Sequence, residues 1–214
     1  MVLLDHVFVC TSAGAPAAAR LRELGLIEGT PNRHPGQGTA CRRFFFHNAM
    51  LELLWVEDEK EAREEAEPRL KLWERWSASG GDVSRFGISL RPARGAGVAC
   101  PFAYWEYRPA TMPGLELQVA ANTALAEPMW CFMPAGRHPH TTQPHEHPNG
   151  WHDITTLRVW CPRLPEGSVT RELAAAGIID LCESSGHLLE IEFDDVRQSR
   201  ECDLQPDLPV ICRW

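Results

Sequence analysis

The residues best placed to do chemistry in this 214-residue chain lie in a hairpin, TACRRFFFHN turning at Asn48-Ala49 into MLELLWVED. A two-residue turn predicts that His47 faces Met50, Phe45 faces Glu52 and Arg43 faces Leu54, so these six side chains share one face of a sheet. Glu52 is the chemical oddity among them. A carboxylate amid apolar strand residues has to be solvated, paired or metal-bound, because burying it bare is too costly. Arg43, diagonal to it, is the plain structural partner, with Arg42 and Arg85 also available. A second concentration of chemistry is the loop AGRHPHTTQPHEHPNG over 135–150, since five of the nine histidines fall between 138 and 152. Alternate residues of an extended chain face one side, so His145 and His147 in PHEHP are spaced to grip one metal ion, without the accompanying cysteines or second histidine pair of a typical zinc site.

The elements that must position these groups are readable from pattern. LLDHVFVC and its neighbours over 2–10 alternate as a strand, with His6, Phe8 and Cys10 on one face and Asp5, Val7 and Val9 on the other. AAARLREL follows as a helix, with Pro16 in its first turn and Gly25 at its C-terminal cap. A short strand is expected at LIEG, then a loop, TPNRHPGQG, leading into the hairpin. EDEKEAREEAE over 57–67 is a charge run with the character of a solvated helix face. RLKLWERW puts Leu70, Trp73 and Trp76 at helical spacing. Between 85 and 134 four short strands are expected, RFGISLRP, PFAYWEYRP, LELQVAAN and PMWCFMP, in a segment rich in Trp and Tyr that is suited to lining a concave small-molecule site.

A formal charge of −8, with 44% hydrophobic and 23% charged residues, excludes disorder and argues against a nucleic-acid binder, whose footprint is basic. No apolar run approaches a membrane span, and MVLLDHVFVC lacks a basic leader, so a cytoplasmic protein is expected. The eight cysteines are scattered, without a C-x-x-C pair, which fits reduced thiols in apolar strands.

The C-terminal part replays the N-terminal part. WHDITTLRVWCP, SVTRELAAAG, IIDLCES and HLLEIEFDD read as strand, helix, strand and strand. ARLRELGLIE overlays RELAAAGIID with the glycines matched, and MLELLWVED overlays LLEIEFDD with Glu52 matched to Glu190. At these residues, and through HPGQGTACRRFFFHNAMLELLW, the sequence resembles the vicinal oxygen chelate superfamily and more closely its glyoxalase-like members. The resemblance implies an α+β fold of paired β-α-β-β(-β) modules, whose mixed and antiparallel sheets curl into a cup. The expected organisation is a first module over 1–58, a connector with a Trp-rich helix over 59–84, a strand-rich aromatic segment with the His/Pro loop over 85–150, and a second module over 151–214.

In that superfamily each module commonly gives a divalent metal one residue from its first strand and one glutamate from its last. The resemblance therefore implies His6, Glu52 and Glu190 as ligands, for zinc, nickel, manganese, iron or magnesium. The fourth position falls on Thr156 if the second module opens at 151, or on Gly87 if it opens at RFGISL, and neither binds a metal well. A metal with open positions would take two adjacent substrate oxygens and stabilise an enolate as a Lewis acid. Glu52 or Glu190 would then serve as catalytic base, and Arg43, Phe45 and His47 would hold substrate, Arg43 or His47 by charge-assisted hydrogen bonds. The resulting expectation is a glyoxalase-like protein acting on a small molecule with vicinal oxygens by proton abstraction, isomerisation, lyase or dioxygenase chemistry, with a homodimer among the assemblies such modules form. The alternative is a metal-free protein that sequesters a small aromatic or amphipathic compound in the same cup, as the resemblance to the drug-resistance members of the superfamily implies.

Overall fold

The computed structural model describes residues 1–64, 68–94, 97–109, 114–135 and 142–214. Its first unit is β1 (Val2–Cys10), α1 (Ala18–Glu23), β2 (Asn32–His34), β3 (Thr39–Phe45) and β4 (Met50–Val56). The second is β5 (Phe86–Pro92), β6 (Tyr104–Tyr107), β7 (Leu117–Ala120) and β8 (Met129–Phe132). Together they form one eight-stranded mixed sheet in the order β2-β3-β4-β1-β5-β8-β7-β6, curled into a half-barrel. β4 lies parallel to β1 and β8 parallel to β5, while β1 and β5 meet antiparallel at the centre. The half of the cup facing the first unit is therefore supplied by residues 86–132.

The third unit is β9 (Ile154–Cys161), α4 (Val169–Ala175), β10 (Asp180–Glu183), β11 (Leu188–Phe193), β12 (Glu201–Asp203) and β13 (Val210–Arg213). It forms a separate five-stranded sheet, ordered β10-β9-β11-β13-β12. β11 runs antiparallel to β9, whereas β4 runs parallel to β1. Laying Glu190 over Glu52 thus equates strands that run in opposite senses relative to their opening strand. This sheet covers the back of the large one: Val7, Val9 and Ile88 from the large sheet share a core with Val159, Leu189 and Phe193. Trp130 Nε1 donates to Thr170 Oγ1 (2.9 Å), and Glu127 Oε2 accepts from the Thr170 amide (3.0 Å) and hydroxyl (2.9 Å), which ties the first turn of α4 to the second unit.

The cup face is occupied largely by the chain itself. Leu70 and Leu72 pack there with Phe8, Leu54, Val119 and Met129. After α2 (Glu59–Arg63), they come from a 3-10 turn (Pro68–Leu70) and α3 (Leu72–Ser77), separated by Lys71 at φ 55°. That break keeps Leu70, Trp73 and Trp76 off one continuous helix, which corrects the expected stripe. Arg75 is buried behind them, its Nη1 donating to the carbonyls of Glu127 (2.7 Å) and Ser84 (2.9 Å). Burial lowers its pKa to about 10, so it stays charged at neutral pH.

Two other expectations change. LIEG forms no strand, and β2 lies instead within the segment expected to be loop. The β3–β4 connection spans four residues, 46–49, closed by the Phe46 amide on the Ala49 carbonyl at 2.8 Å. The register therefore pairs Phe45 with Met50, Arg43 with Glu52 and Cys41 with Leu54. A slip of two leaves every strand side chain on its expected face, but it lifts His47 out of the sheet and into the turn. The helix α1 ends as expected, with Gly25 at φ 90°.

Candidate functional site

The metal-ligand-type side chains gathered in the cup lie in the first unit. Glu52 projects from the centre of β4, buried, opposite Arg43 on one side and Phe8 on the other. His34 from β2, Cys41 from β3 and Glu52 each bring a ligand-type atom within 4.8 Å of the other two. His6 belongs to the same field, since its charge is coupled to Glu52 and Arg43.

β1 carries a bulge between Leu4 and His6, where Asp5 contributes its carboxylate to the His6 ring. Asp5 Oδ1 lies 2.7 Å from His6 Nδ1, and Arg91 Nε lies 3.5 Å from the other oxygen, an ion pair rather than a hydrogen bond. Burial alone would lower the His6 pKa, but the Asp5 hydrogen bond and the Glu52 charge outweigh it and hold it above its ordinary value. Nε2 has no protein partner among the described residues and is left open to the cup. His34 is the opposite case: burial lowers its pKa, Nδ1 meets Thr39 Oγ1 and Nε2 meets Asn32 Nδ2, both at 3.0 Å. Burial, with Glu52 beside it, pushes the Cys41 thiol well above its ordinary range.

Among the described residues Glu52 forms no ion pair with an arginine. Arg43 is turned aside, its Nε donating to the Thr30 carbonyl at 2.7 Å and its guanidinium lying over the Phe45 ring. Arg42 is paired with Glu28, and Arg85 donates to the Ala78 carbonyl. Glu190 has the pairing that Glu52 lacks. It is buried in the other sheet, where its Oε1 accepts from Arg158 Nη1 and lies 3.1 Å from Arg213 Nε. Glu190 is therefore not brought together with His6 and Glu52, and its neighbours describe a structural ion-pair network.

The antiparallel register sets Val7 opposite Ile88. A twofold through that pair matches His6 to Gly87, and the parallel partners β4 and β8 then match Glu52 to Cys131. Thr156 lies in β9, outside the cup. A Cβ on Gly87 would come within 1.9 Å of the Phe8 ring, so the aromatic ring occupies the place a second-half ligand would need. Cys131 is buried, and burial pushes its thiol up to about 12. The symmetric donor set implied by the resemblance does not fit these residues. His34, Cys41 and Glu52 are the donors the cup itself gathers, with both His34 nitrogens already engaged and the Cys41 proton firmly held.

His34 and Cys41 were not among the expected site residues. Cys41 was within reach, since it shares strand parity with Arg43 and Phe45; His34 was hidden in a segment with loop composition. Phe45 keeps its expected face, whereas His47 lies against Glu146 and His152 beyond the sheet. His147 does not join His145 at a metal. Its Nδ1 accepts from the Ile27 amide at 3.0 Å and its Nε2 donates to the Phe45 carbonyl at 2.9 Å, so both nitrogens pin the loop. His138 and His140 lie outside the described residues. A cavity of about 840 Å³ lies behind the large sheet between Leu4, Leu90, Ile154 and Ile178, and its described lining carries no imidazole or thiol.

No helix among the described residues is long and apolar enough to cross a membrane, and all eight cysteines are free. No match was found among curated proteins. A crystal structure of a hypothetical protein from Staphylococcus aureus is similar, with a TM-score of 0.56 and 10% identity over 100% of this chain and 99% of that one, a likeness of fold alone. The sequence profile described as "Glyoxalase-like domain" matches residues 4–175, which takes in both halves of the cup and continues through α4. With that match over most of its length, the chain belongs to the glyoxalase-like domain family, of the vicinal oxygen chelate type.

Proposed function

We propose that this chain is a glyoxalase-like enzyme that takes a small molecule with adjacent oxygens into the β1–β4 half of the cup and moves a proton with Glu52. The observation that carries the reading is the state of Glu52: it is 7% exposed, forms no ion pair with an arginine or lysine among the described residues, and faces two imidazoles and a thiol. A carboxylate kept buried without an arginine or lysine to pair with costs stability, and such a cost is characteristic of a group held ready for chemistry.

In the reaction Glu52 accepts a proton from the carbon beside a carbonyl. The C–H electron pair becomes a C=C bond as the carbonyl π pair moves onto oxygen, giving an enediolate. His6, with its pKa raised beside Asp5, donates from Nε2 to that oxygen, and Arg43, by leaving the Thr30 carbonyl, holds the neighbouring one. Glu52 returns the proton to the adjacent carbon while the neutral His6 Nε2 takes back a proton from the neighbouring hydroxyl, whose O–H pair becomes the new C=O bond; this completes an isomerisation and restores both residues. All these residues lie in one chain, so the reading requires no dimer.

Proton exchange tests this directly. In D2O, NMR of a panel of small 2-hydroxy aldehydes and ketones should show enzyme-dependent deuterium wash-in beside the carbonyl. Glu52→Gln should lower the rate about 10²- to 10⁴-fold, the range for a positioned general base. Absence of exchange across the panel, or exchange unaffected by Glu52→Gln, overturns the proposal. Metal analysis of protein purified without chelator, repeated on Glu52→Gln and His6→Ala, tests whether a divalent ion accompanies these donors.

Sequestration without turnover is the second reading. It is favoured by the other half of the cup, where Gly87 and Cys131 replace donors and a cavity of about 320 Å³ lies among Leu70, Trp105, Val119 and Met129. That reading requires an aromatic ligand to quench tryptophan fluorescence and to be recovered unchanged.

A further inference from the structure

Outside the cup, three histidines and a glutamate converge where the large sheet meets the third unit. His47 stands in the β3–β4 turn, His145 and Glu146 in the loop before β9, and His152 just ahead of that strand. Ligand-type atoms of His47, His145 and Glu146 lie within 4.8 Å of one another. The His47 ring centroid lies 5.4 Å from that of His145 and 5.1 Å from that of His152. Glu146 Oε1 lies 2.9 Å from His47 Nε2 and 4.0 Å from His145 Nε2, and Oε2 lies 4.0 Å from His152 Nε2.

The surroundings hold these rings as metal-binding imidazoles are held. His145 Nδ1 donates to the Gln143 carbonyl at 2.8 Å, which leaves Nε2 unprotonated for a ligand. His152 Nδ1 lies 3.6 Å from Asp194 Oδ2, and Asp194 itself accepts from the His152 and Asp153 amides. The His47 amide donates to the His152 carbonyl at 2.8 Å, linking the two segments. The loop is pinned by His147, whose two nitrogens are spent on the Ile27 amide and the Phe45 carbonyl. The cluster is thus built by anchored backbone from three places in the chain.

We propose that His47, His145, His152 and Glu146 bind one divalent transition-metal ion, zinc in particular, and that the ion fastens the third unit to the rim of the glyoxalase-like cup. Three imidazoles and one carboxylate are a donor set for zinc and its neighbours, whereas magnesium and calcium favour all-oxygen sites. The Glu146 carboxylate oxygens lie 2.9 to 4.0 Å from Nε2 of the three histidines, a spacing that fits an ion bonded at about 2.0–2.2 Å to each. This assignment is independent of the chemistry proposed for Glu52.

The test uses the full chain stripped with chelator and dialysed against Zn2+. The wild type should gain a zinc equivalent that His145→Ala and His152→Ala both lose, with near-ultraviolet circular dichroism unchanged. Glu52→Gln and Cys41→Ser should retain it, which separates this site from the cup. Cobalt supplies a second readout: Co2+ at the rim should give tetrahedral visible absorption, lost in His145→Ala, without the thiolate charge-transfer band that Cys41 coordination would add. Mg2+ at the same concentration should not displace Co2+. Equal zinc stoichiometry in the wild type and His145→Ala, or no zinc bound by the wild type, overturns the assignment.

Discussion

Glu52 and Glu190 share a local sequence context, L-E-L and L-E-I in apolar strands, yet should respond oppositely to the same substitution. Glu190 is 2% exposed and its Oε1 faces Arg158 and, at 3.1 Å, Arg213 Nε. At an effective dielectric constant of 20, one pair at that distance is worth about 5 kcal/mol before desolvation is subtracted. Breaking a buried pair typically costs about 3–5 kcal/mol, because the partner is left uncompensated. Here the partners are not abandoned: Arg158 keeps Asp180 at 2.9 Å and Glu192 at 3.5 Å, and Arg213 keeps Glu201 at 3.3 Å. Both arginines are also partly open to solvent. Glu190→Gln should therefore cost less than a fully buried pair, about 2–3 kcal/mol, or roughly 4–12 °C in Tm for a chain of this size. Glu52→Gln removes a buried charge that forms no ion pair with an arginine or lysine among the described residues and meets only the more distant field of His6, so its stability should stay within about 1 kcal/mol of the wild type or exceed it. Urea unfolding at neutral pH, followed by tryptophan fluorescence and far-ultraviolet circular dichroism, measures both. If Glu52→Gln destabilises as much as Glu190→Gln, Glu52 is an ordinary structural carboxylate and the argument for its readiness fails.

Two further outcomes follow from single residues. Gly87→Ala places a Cβ within 1.9 Å of the Phe8 ring and should cost about 1–3 kcal/mol, the usual range for overpacking. Combining it with Phe8→Ala should cost less than the sum of the two changes, and strict additivity in chemical unfolding would show that the contact is not felt. His187 has its pKa lowered by burial and by Arg75, with Asp82 opposing. The unfolded chain therefore binds the proton more readily, so the contribution of neutral His187 is full above about pH 6.5 and fades as pH falls through that value toward the folded pKa. Unfolding free energies at pH 7.5 and 5.5 should differ less in His187→Leu than in the wild type; an equal pH slope in both would refute the assignment.

The alternation of apolar and polar residues located β1, β3, β4, β5 and β11, and it placed the cup-facing side chains on the correct face even where the register slipped by two. Side-chain face depends only on parity, while register depends on turn length, and Asn48-Ala49 resembles a two-residue turn closely enough to hide the four-residue one. The same locality explains the misplaced second half. RELAAAGIID imitates ARLRELGLIE because both end a helix at a positive-φ glycine followed by apolar residues, whereas the described residues between β5 and β6 contain no helix for α1 to match. Helical likeness therefore pointed to the third unit, and the decisive fact, that β5 lies against β1, is a pairing between distant strands that no local pattern encodes.

The two glutamates show how far such reasoning can be carried. Once the registers are known, each has an arginine directly across the ladder, Arg158 opposite Glu190 and Arg43 opposite Glu52. Register alone would then declare both to be salt bridges. The difference arises one layer further out. The coil ahead of β2 brings the Thr30 carbonyl to Arg43 Nε at 2.7 Å, and the Phe45 ring lies beneath the guanidinium; nothing comparable competes for Arg158, which gathers three carboxylates. Coil geometry is set by packing rather than by periodicity, so the partner of a buried charge is the last feature a sequence yields. The readiness proposed for Glu52 depends on a backbone carbonyl in the coil ahead of β2, and under that proposal a substrate oxygen able to outbid the carbonyl for Arg43 would bring the guanidinium into the cup as the ligand arrives.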